Sequence, residues 1–287
     1  MTGYSVREFN ALLHFFEESV SESRMTIEGK EREKRPAVYR NSVFSCIADQ
    51  LMFILIYMKQ YMTQTAFGQL FGISQPKANL WIHYLMPILS EALYKADTVP
   101  CRDMNDLQEK EADIYIHDGT ERRIQRPKDN ERQKENYSGK TRTHAVKNNI
   151  IADVKCVIIF LTLTAEGRKH DKKIADETGY ILPDGSTLLQ DTGFQGFSVR
   201  NTAILQPVKK PRGKELTAEQ KELNRKISKI RIRIEHIISS VKRYRIVKDR
   251  LRNWLRGFAD TVMEVACALH NFRLRFRPWR EVKLQGI

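Results

Sequence analysis

The sequence of 287 residues contains few cysteines, and they are scattered along the chain. There is no Cys-x-x-Cys pair and no histidine at the spacing of a zinc site. This pattern disfavours both a disulfide-stabilised secreted domain and a cysteine-ligated metal module. We expect all four to be reduced packing residues of a cytoplasmic protein: Cys46, Cys101, Cys156 and Cys267.

The sequence also lacks a long apolar run. The most hydrophobic stretch, residues 51–58, lies between Asp49 and Lys59 and is far shorter than the ~20 residues of a membrane-spanning helix. The N-terminal stretch MTGYSVREF has no apolar core of a signal peptide. The sequence therefore predicts neither a transmembrane nor a secretory segment.

Acidic residues are scarce relative to basic ones. The chain has 35 Asp and Glu against 49 Lys and Arg, which gives a net charge of +14. Hydrophobic residues at 41% and charged residues at 29% are typical of a globular protein. Such an excess of positive charge concerns binding partners rather than fold. Nucleic acid is the first expectation, and an anionic membrane surface is the alternative.

The first hundred residues have the periodicity of helices. Residues 6–20 place apolar side chains at helical spacing, and residues 39–62 are apolar on most sides, which predicts a buried helix. The charged stretch at residues 29–36 reads as a linker. We expect a helical DNA-binding domain over residues 1–100.

Residues 63–86 have the pattern of a helix-turn-helix. Gly72 suits a left-handed helix end, Ser74 suits an N-cap, and Pro76 falls in the first turn of the next helix. Two short helices joined by such a turn can place the second one in the major groove, although an ordinary helical hairpin has the same spacing. Three polar residues of the second helix are the candidate DNA contacts: Gln75, Lys77 and Asn79.

From about residue 108 the pattern of apolar residues changes to that of a mixed α/β domain. Strands are predicted at 114–116, 149–154, 157–163 and 187–189, and helices at 218–245 and 254–272, the last with Leu255 on its apolar stripe. The second and third strands are close enough in sequence for a tight hairpin. We expect an α/β catalytic domain over 108–250 with a basic connecting segment at 200–224, then a C-terminal helix and tail at 251–287.

Three acids lie where an acid is unusual. Asp118 and Asp191 each follow a predicted strand, and Glu235 lies beside the apolar stripe of a helix, where it can face the sheet. Taken singly, each aspartate is more often a turn former, and Glu235 is more often an ion-pair partner of Arg231. Taken together, the three carboxylates supply the oxygen ligands that hard divalent cations need.

Two divalent cations held side by side by carboxylates have a known use in phosphodiester cleavage. Two metal ions ~3.5–4 Å apart activate a water molecule and stabilise the leaving oxygen. Asp171, after the third predicted strand, is a weaker ligand candidate. His117 and His236 adjoin catalytic acids in sequence, but strand alternation and the helical step turn them away from the site.

Four local motifs resemble those of the DDE transposases of bacterial insertion sequences, which are related to Harbinger-type endonucleases. The stretches DGT at 118–120, YSGKTRTHAVK at 137–147 and DTGFQG at 191–196 are similar to the family's motifs around its first two acids. Around the third acid, the family pattern Y-x2-R-x3-E-x6-K matches at Arg231, Glu235 and Lys242, whereas Ser228 replaces the tyrosine. The resemblance spans residues 40–255.

The resemblance implies an RNase H-like mixed sheet flanked by helices, preceded by an all-helical helix-turn-helix domain. It implies that Asp118, Asp191 and Glu235 bind Mg²⁺ or Mn²⁺, with two ions expected. The implied activity is hydrolysis at transposon ends followed by strand transfer into target DNA. A non-catalytic DNA-binding regulator and an RNase H-fold nuclease without strand transfer are the alternatives. Double-stranded DNA is the expected partner of a homodimer in the cytoplasm, at the nucleoid.

Basic residues near these acids are the candidate phosphate contacts. Residues 225–256 contain twelve Lys and Arg and only two acids, which is more one-sided than an ordinary solvated surface. The candidates are Arg231, Lys242, Arg122, Arg123, Arg126, Lys140 and Arg142, with Lys147 as a further possibility.

Overall fold

The computed structural model describes residues 1–34, 36, 42–110, 112–213 and 215–280. Parts of four predicted segments lie outside the described residues: 35 in the linker, 39–41 in the second helix, 214 in the basic connecting segment and 281–287 in the tail. The chain divides into two compact units. The first unit contains residues 1–99, 241–249 and 253–276, and the second contains 100–240, 250–252 and 277–280.

The described residues form ten α-helices and seven strands. The helices are α1 (Val6–Glu22), α2 (Ile47–Gln60), α3 (Gln64–Leu70), α4 (Gln75–Lys95), α5 (Met104–Gln108), α6 (Asn130–Asn136), α7 (Asp171–Thr178), α8 (Ala218–Val241), α9 (Arg245–Lys248) and α10 (Phe258–Leu274). The strands are β1 (Ile114–Arg123), β2 (Tyr137–Ser138), β3 (Thr143–Asp153), β4 (Ile158–Leu161), β5 (Ala165–Glu166), β6 (Thr187–Leu189) and β7 (Ala203–Leu205). No helix of the described residues is both long and apolar enough to cross a bilayer.

The first unit is helical, as the sequence predicts. A capping box begins α1, because the Ser5 hydroxyl accepts from the Glu8 amide while the Glu8 carboxylate accepts from the Ser5 amide. Helix α2 begins at Ile47, later than predicted, and buries almost every side chain of its middle turns. Helices α1, α2 and α10 each pack against α4.

The helix-turn-helix is formed by α3 and α4. Thr63 and Ser74 cap the two helices, each accepting a hydrogen bond from a backbone amide of the first turn. Gly72 has a φ of +66°, the left-handed conformation that the sequence predicts for this turn. Gly68 allows a close approach, because a Cβ atom there would lie 2.6 Å from the Ile73 carbonyl oxygen. The pattern of caps and glycines therefore determines the tight turn.

The last helix begins later than predicted. Helix α10 begins at Phe258, and Gly257 precedes it with a φ of +80°. The prediction of a helix from 254 with Leu255 in its apolar stripe was therefore wrong. Trp254 and Leu255 lie instead in an exposed loop, each with 59% of its surface accessible.

The second unit is built on a mixed sheet with the strand order β2–β3–β1–β6–β7, and β4 and β5 also pair with β3. β3 is antiparallel to β1, whereas β6 is parallel to β1 and β7 is parallel to β6. Tyr115, Phe160 and Leu188 belong to the core on one face of this sheet. An α/β core of mixed sheet and flanking helices after a helical region confirms the predicted RNase H-like fold class.

The first strand is longer than predicted. Asp118 and Gly119 do not end it in a turn, because β1 continues to Arg123 and pairs with β3 along its length. Asp118 lies opposite Ile150, in the middle of the strand. Taken singly, the Asp-Gly pair favours a turn, and the long pairing with β3 overrides that local preference.

The predicted hairpin between β3 and β4 is confirmed. The Cys156 amide donates to the Asp153 carbonyl oxygen at 3.1 Å, and Cys156 has a φ of +70°. The Asp153 carboxylate accepts from the Val157 amide at 2.8 Å. The strand at 187–189 is also formed where the sequence predicts it.

We predict that Gly68→Ala destabilises the first unit by more than Gly72→Ala. At Gly68 the new methyl group meets backbone oxygen, so the helices must separate, whereas at Gly72 nothing lies within 4 Å and only the positive φ opposes alanine. The Gly72 substitution should cost about 1 kcal/mol. Chemical denaturation of both variants measures the difference, and equal losses would contradict the close approach at Gly68.

Candidate active site

Asp118 and Asp191 are brought side by side by the parallel register of β1 and β6. The last paired residues are Ile116 and Leu189, and the two aspartates each follow two residues later. Residues two apart on a strand lie on the same face, and neighbouring strands are about 4.8 Å apart. The pair of carboxylates is therefore a consequence of strand register.

Each aspartate also binds local backbone. An Asp118 carboxylate oxygen accepts from the Gly119 amide at 2.8 Å, and an Asp191 oxygen accepts from the Thr192 amide at 2.6 Å. Asp191 is the N-cap of a 3-10 turn over Thr192–Phe194. The turn-forming role that the sequence offers for Asp191 therefore coexists with its place beside Asp118, and both side chains are held in fixed orientations.

The electrostatics of Asp118 are those of a crowded acid. Burial raises the pKa of its carboxyl to about 6, the Gly119 amide and the Arg231 guanidinium lower that pKa, and the charges of Asp191 and Asp171 raise it. A carboxyl with this pKa is mostly ionised at pH 7 and becomes protonated below about pH 6. A nearby cation would favour the ionised form of Asp118.

Arg231 of α8 is the positive charge at the aspartate pair. Its guanidinium nitrogen lies 3.4 Å from an Asp191 oxygen, and only 13% of its side chain is exposed. Its Nε atom is buried and has no hydrogen-bond partner among the described residues. Arg231 therefore balances the charge of the pair through an incomplete set of hydrogen bonds.

Glu235 lies one helical turn after Arg231, on the side of α8 whose residue reaches Asp191. Its side chain is exposed, whereas Ile234 and Ile237 occupy the buried stripe of the helix. Its assignment as the third ligand therefore stays a prediction. Among the described residues, no three His, Cys, Asp or Glu side chains are grouped to hold a metal ion.

Asp171 lies nearer to the site than its weak sequence signal suggests. Its carboxylate packs on Gly119, where a Cβ atom would lie 2.6 Å from the Asp171 carboxyl carbon. The Lys147 ammonium nitrogen lies 3.3 Å from an Asp171 carboxylate oxygen. The side-chain amide of Asn149 donates to the Asp171 backbone oxygen at 2.8 Å. Only the His-Asp pair after a strand marks this residue in the sequence.

His117 faces away from the aspartates, as strand alternation predicts. It is fully buried, and its ring nitrogens contact the Gln190 side-chain oxygen at 3.3 Å and the Tyr180 hydroxyl at 3.2 Å. Burial lowers the pKa of His117 to about 4, so the ring is neutral at physiological pH. It supports the sheet rather than the site. His236 is exposed on α8.

The basic candidates of the second unit divide by burial. Arg122 is only 3% exposed, and its guanidinium donates to the Asn148 side-chain oxygen at 2.6 Å, so it does not present its charge at the surface. Lys147 is likewise buried beside Asp171. Four candidates are exposed: Arg123, Arg126, Lys140 and Arg142.

The helix-turn-helix candidates lie at the beginning of α4. Gln75 is exposed, and Lys77 and Asn79 are half-buried. The side-chain amides of Gln75 and Asn79 both donate to the Gln64 side-chain oxygen, at 2.7 and 3.2 Å. Lys242, just after α8, is half-buried and belongs to the first unit.

The donor set fits a divalent cation only in part. Asp118 and Asp191 supply adjacent carboxylate oxygens, the ligands that Mg²⁺ and Mn²⁺ prefer. Arg231 contacts Asp191, and Glu235 is exposed one helical turn further along α8. In the described conformation, two of the three predicted ligands are therefore together.

Comparisons with known proteins agree with the two-part architecture. The family model of the DDE superfamily endonuclease matches residues 117–271, more than half of the chain. A second family model, the helix-turn-helix of DDE superfamily endonuclease, matches residues 46–95.

Two curated proteins are similar over most of their length. One, from Microchaete diplosiphon, carries the name "Probable transposase for insertion sequence element IS702" and is 26% identical over 96% of this chain and 94% of its own. The other, from Streptomyces albus G, is named as a transposase for insertion sequence element IS112. It is 28% identical over 85% of this chain and 87% of its own.

We predict that Arg231→Gln raises the pKa of Asp118 above about 6. Because the guanidinium favours the ionised carboxylate, its removal leaves burial and the neighbouring acids unopposed. Carboxyl-carbon NMR titration of the metal-free protein measures the shift. Lys229→Gln, at an exposed position of the same helix, is the matched control and should leave the Asp118 titration unchanged. An identical Asp118 titration in the wild type, Arg231→Gln and Lys229→Gln would contradict the role of Arg231 in balancing the charge of the aspartates.

Proposed function

We propose that this chain, which belongs to the DDE superfamily endonucleases, is the transposase of an insertion sequence. It cleaves a phosphodiester at each transposon end and joins the freed 3′-hydroxyl to target DNA. The observation that carries the proposal is the pairing of Asp118 with Asp191 by strand register inside the region that matches the endonuclease family. The helix-turn-helix match supplies the DNA-binding half of the function.

The two curated relatives favour a transposase over the alternatives. Both are named as transposases of insertion sequences, and the similarity spans the helical region and the sheet together. A non-catalytic regulator would have no need of its acids, and here all three remain: Asp118, Asp191 and Glu235. A nuclease without strand transfer shares the same site, so it is separated by its products.

The site is proposed to bind Mg²⁺ or Mn²⁺, as two ions. Asp118 and Asp191 are the first ligands, and Glu235 is the third. When bound, the cations supply the Lewis acidity that phosphodiester hydrolysis needs. Because Glu235 lies one turn further along the face of α8 that presents Arg231 to Asp191, its participation requires a shift along the helix axis or a rearrangement of the two side chains.

Arg231 is proposed to have a second role, in binding phosphate. Its guanidinium neutralises the aspartates while no cation is present, and its Nε atom remains without a partner among the described residues. A guanidinium released from Asp191 can bind a phosphate with two parallel hydrogen bonds. We therefore assign Arg231 to the scissile phosphate in the DNA-bound state.

DNA is proposed to contact both units. In the second unit, the exposed side chains Arg123, Arg126, Lys140 and Arg142 bind backbone phosphates, whereas the burial of Arg122 removes it from this set. In the first unit, Gln75, Lys77 and Asn79 contact base edges and Lys242 contacts phosphate. Phosphate contacts position the protein on the duplex, and base contacts give it sequence specificity.

The proposed activity also indicates the oligomeric state and the cellular location of the protein. Because two transposon ends must be held together, the working form is proposed to be a homodimer on double-stranded DNA. The protein acts where bacterial DNA lies, in the cytoplasm at the nucleoid.

We predict that Asp118→Asn, Asp191→Asn and Glu235→Gln each abolish nicking of an oligonucleotide that carries the cognate end. Each change removes one negative ligand without changing side-chain size, so cleavage with Mg²⁺ or Mn²⁺ should fall by at least about a hundredfold. Duplex binding in a mobility-shift assay should remain. Glu219→Gln, which changes an exposed acid near the beginning of α8, is the matched control and should cleave normally.

The three variants also locate the third ligand. Full activity of Glu235→Gln together with inactivity of Asp171→Asn would assign that place to Asp171. Full activity of Asp118→Asn would overturn the catalytic assignment itself.

We predict that the wild-type protein, given a pre-cleaved end and a plasmid, joins the end covalently to the plasmid. The joined product is detected as a labelled high-molecular-weight species on a denaturing gel. Cleavage without joining would assign the chain to the nucleases, and specific binding without cleavage under either metal would assign it to the regulators.

A further inference from the structure

The loop before α10 exposes two large apolar side chains. Trp254 and Leu255 are each 59% exposed, and they are consecutive in the sequence. Within the part of the chain that the structure describes, the Trp254 ring has neither a hydrogen bond nor a ring contact. We call residues 253–257 the tip. Tyr94 and Leu163 are more exposed than either residue, so the feature that distinguishes the tip is the adjacency of two large apolar side chains.

The tip is held in place from both sides. The Asn253 side-chain oxygen accepts from the Leu255 amide at 2.8 Å, which closes the turn. On the other side of the tip, Phe258 is buried at the beginning of α10. The apolar pair is thus presented by an ordered turn.

The tip is tied to the helix-turn-helix. The Asn253 side-chain nitrogen donates to His83 Nε2 at 3.2 Å, and the His83 ring lies 5.4 Å from the ring of Phe258. Burial lowers the pKa of His83, which favours the neutral ring that accepts this bond. His83 is a residue of α4, so the tip is anchored on the second helix of the motif.

The anchor lies on the same face of α4 as a candidate DNA contact. Asn79 and His83 are one helical turn apart, and both are partly exposed. Gln75, at the beginning of the helix, is eight residues before His83, which is about 12 Å along the axis. When the beginning of α4 enters the major groove, the tip is therefore within a few base pairs of it.

The charge around the tip selects among partners. The tip contains Arg256, which is exposed, and no acid. Two apolar side chains are too few for a stable protein interface, which buries about 800 Å² on each partner. An apolar pair beside an arginine instead fits a nucleic acid, because phosphate attracts the arginine and base faces accept the apolar groups.

We propose that Trp254 and Leu255 form a wedge that enters the DNA bound by the helix-turn-helix, with Trp254 stacked on a base that the wedge unstacks. The partner is therefore a locally opened duplex rather than a regular one. Apolar side chains that enter a base step kink DNA in this way. The inference uses the proposed function only for the identity of the partner.

The test uses the full-length protein and duplexes of the transposon end that carry 2-aminopurine at successive positions. Wild-type protein should raise the fluorescence of a 2-aminopurine next to the base stacked on Trp254, because that probe loses a stacking neighbour, and Trp254→Ala and Leu255→Ala should lose this signal. The affinity of Trp254→Ala should fall roughly tenfold or more, because stacking on an aromatic side chain contributes about that factor. Trp254→Phe should retain most of the fluorescence increase and most of the affinity.

Salt dependence separates the wedge from ordinary charge contacts. Trp254→Ala should leave the slope of log affinity against log salt unchanged, because no phosphate contact is removed, whereas Arg256→Ala should reduce it by about one. Tyr94→Ala is the matched control, since Tyr94 is an aromatic residue of the same unit with 70% exposure, near the end of α4. Circular dichroism checks that each variant is folded.

Each of the following results would overturn the inference. Unstacking by Trp254→Ala equal to that of the wild type would do so, as would an equal loss in Tyr94→Ala. Loss of binding to anionic lipid vesicles without any change on DNA would assign the tip to a membrane. Sequence-specific binding without unstacking would contradict the wedge but not the proposed transposase function. Failure of the wild type to bind or cleave its ends would contradict both proposals.

Discussion

The parallel pairing of β1 with β6 is the constraint on which the candidate site depends. One register aligns Ile116 with Leu189, and the same register sets Asp118 beside Asp191 two residues later. On the opposite face, it sets His117 against Gln190, where both are fully buried. A shift of one residue would exchange the two faces, because side chains alternate along a strand. Core packing and the aspartate pair are thus fixed by one set of backbone hydrogen bonds.

Two carboxylates placed this closely need a compensating charge. In the described conformation, Arg231 provides it, and Glu235 remains in solvent one helical turn further along α8. The same face of this helix therefore offers a cation or a third anion to the pair, according to which of the two side chains reaches it. A bound divalent cation would favour the second arrangement, since it supplies the positive charge that Arg231 supplies without it. This exchange would couple metal binding to the release of a guanidinium for phosphate.

The first unit combines a DNA-binding motif with an unusual surface. Local signals set the motif, because two capped helices and a left-handed glycine produce the turn between α3 and α4. The tip at residues 253–257 comes from a distant part of the chain and reaches α4 through His83. A helix that reads sequence and a wedge that opens the duplex would then act on neighbouring base pairs.

The sequence by itself determined the elements and the chemistry: the caps at Thr63 and Ser74, the β3–β4 hairpin, the acids and the excess of positive charge. These follow from local preferences and composition, which the chain carries wherever it folds. Tertiary structure decided what no local pattern contains. Pairing with β3 kept Asp118 inside a strand despite its Asp-Gly signal, and the packing of α8 placed Arg231 beside Asp191 and left Glu235 exposed. Arg122 became a buried residue, and Trp254 an exposed one. The direction of a side chain depends on contacts between segments far apart in sequence, and those contacts form only when the chain is folded.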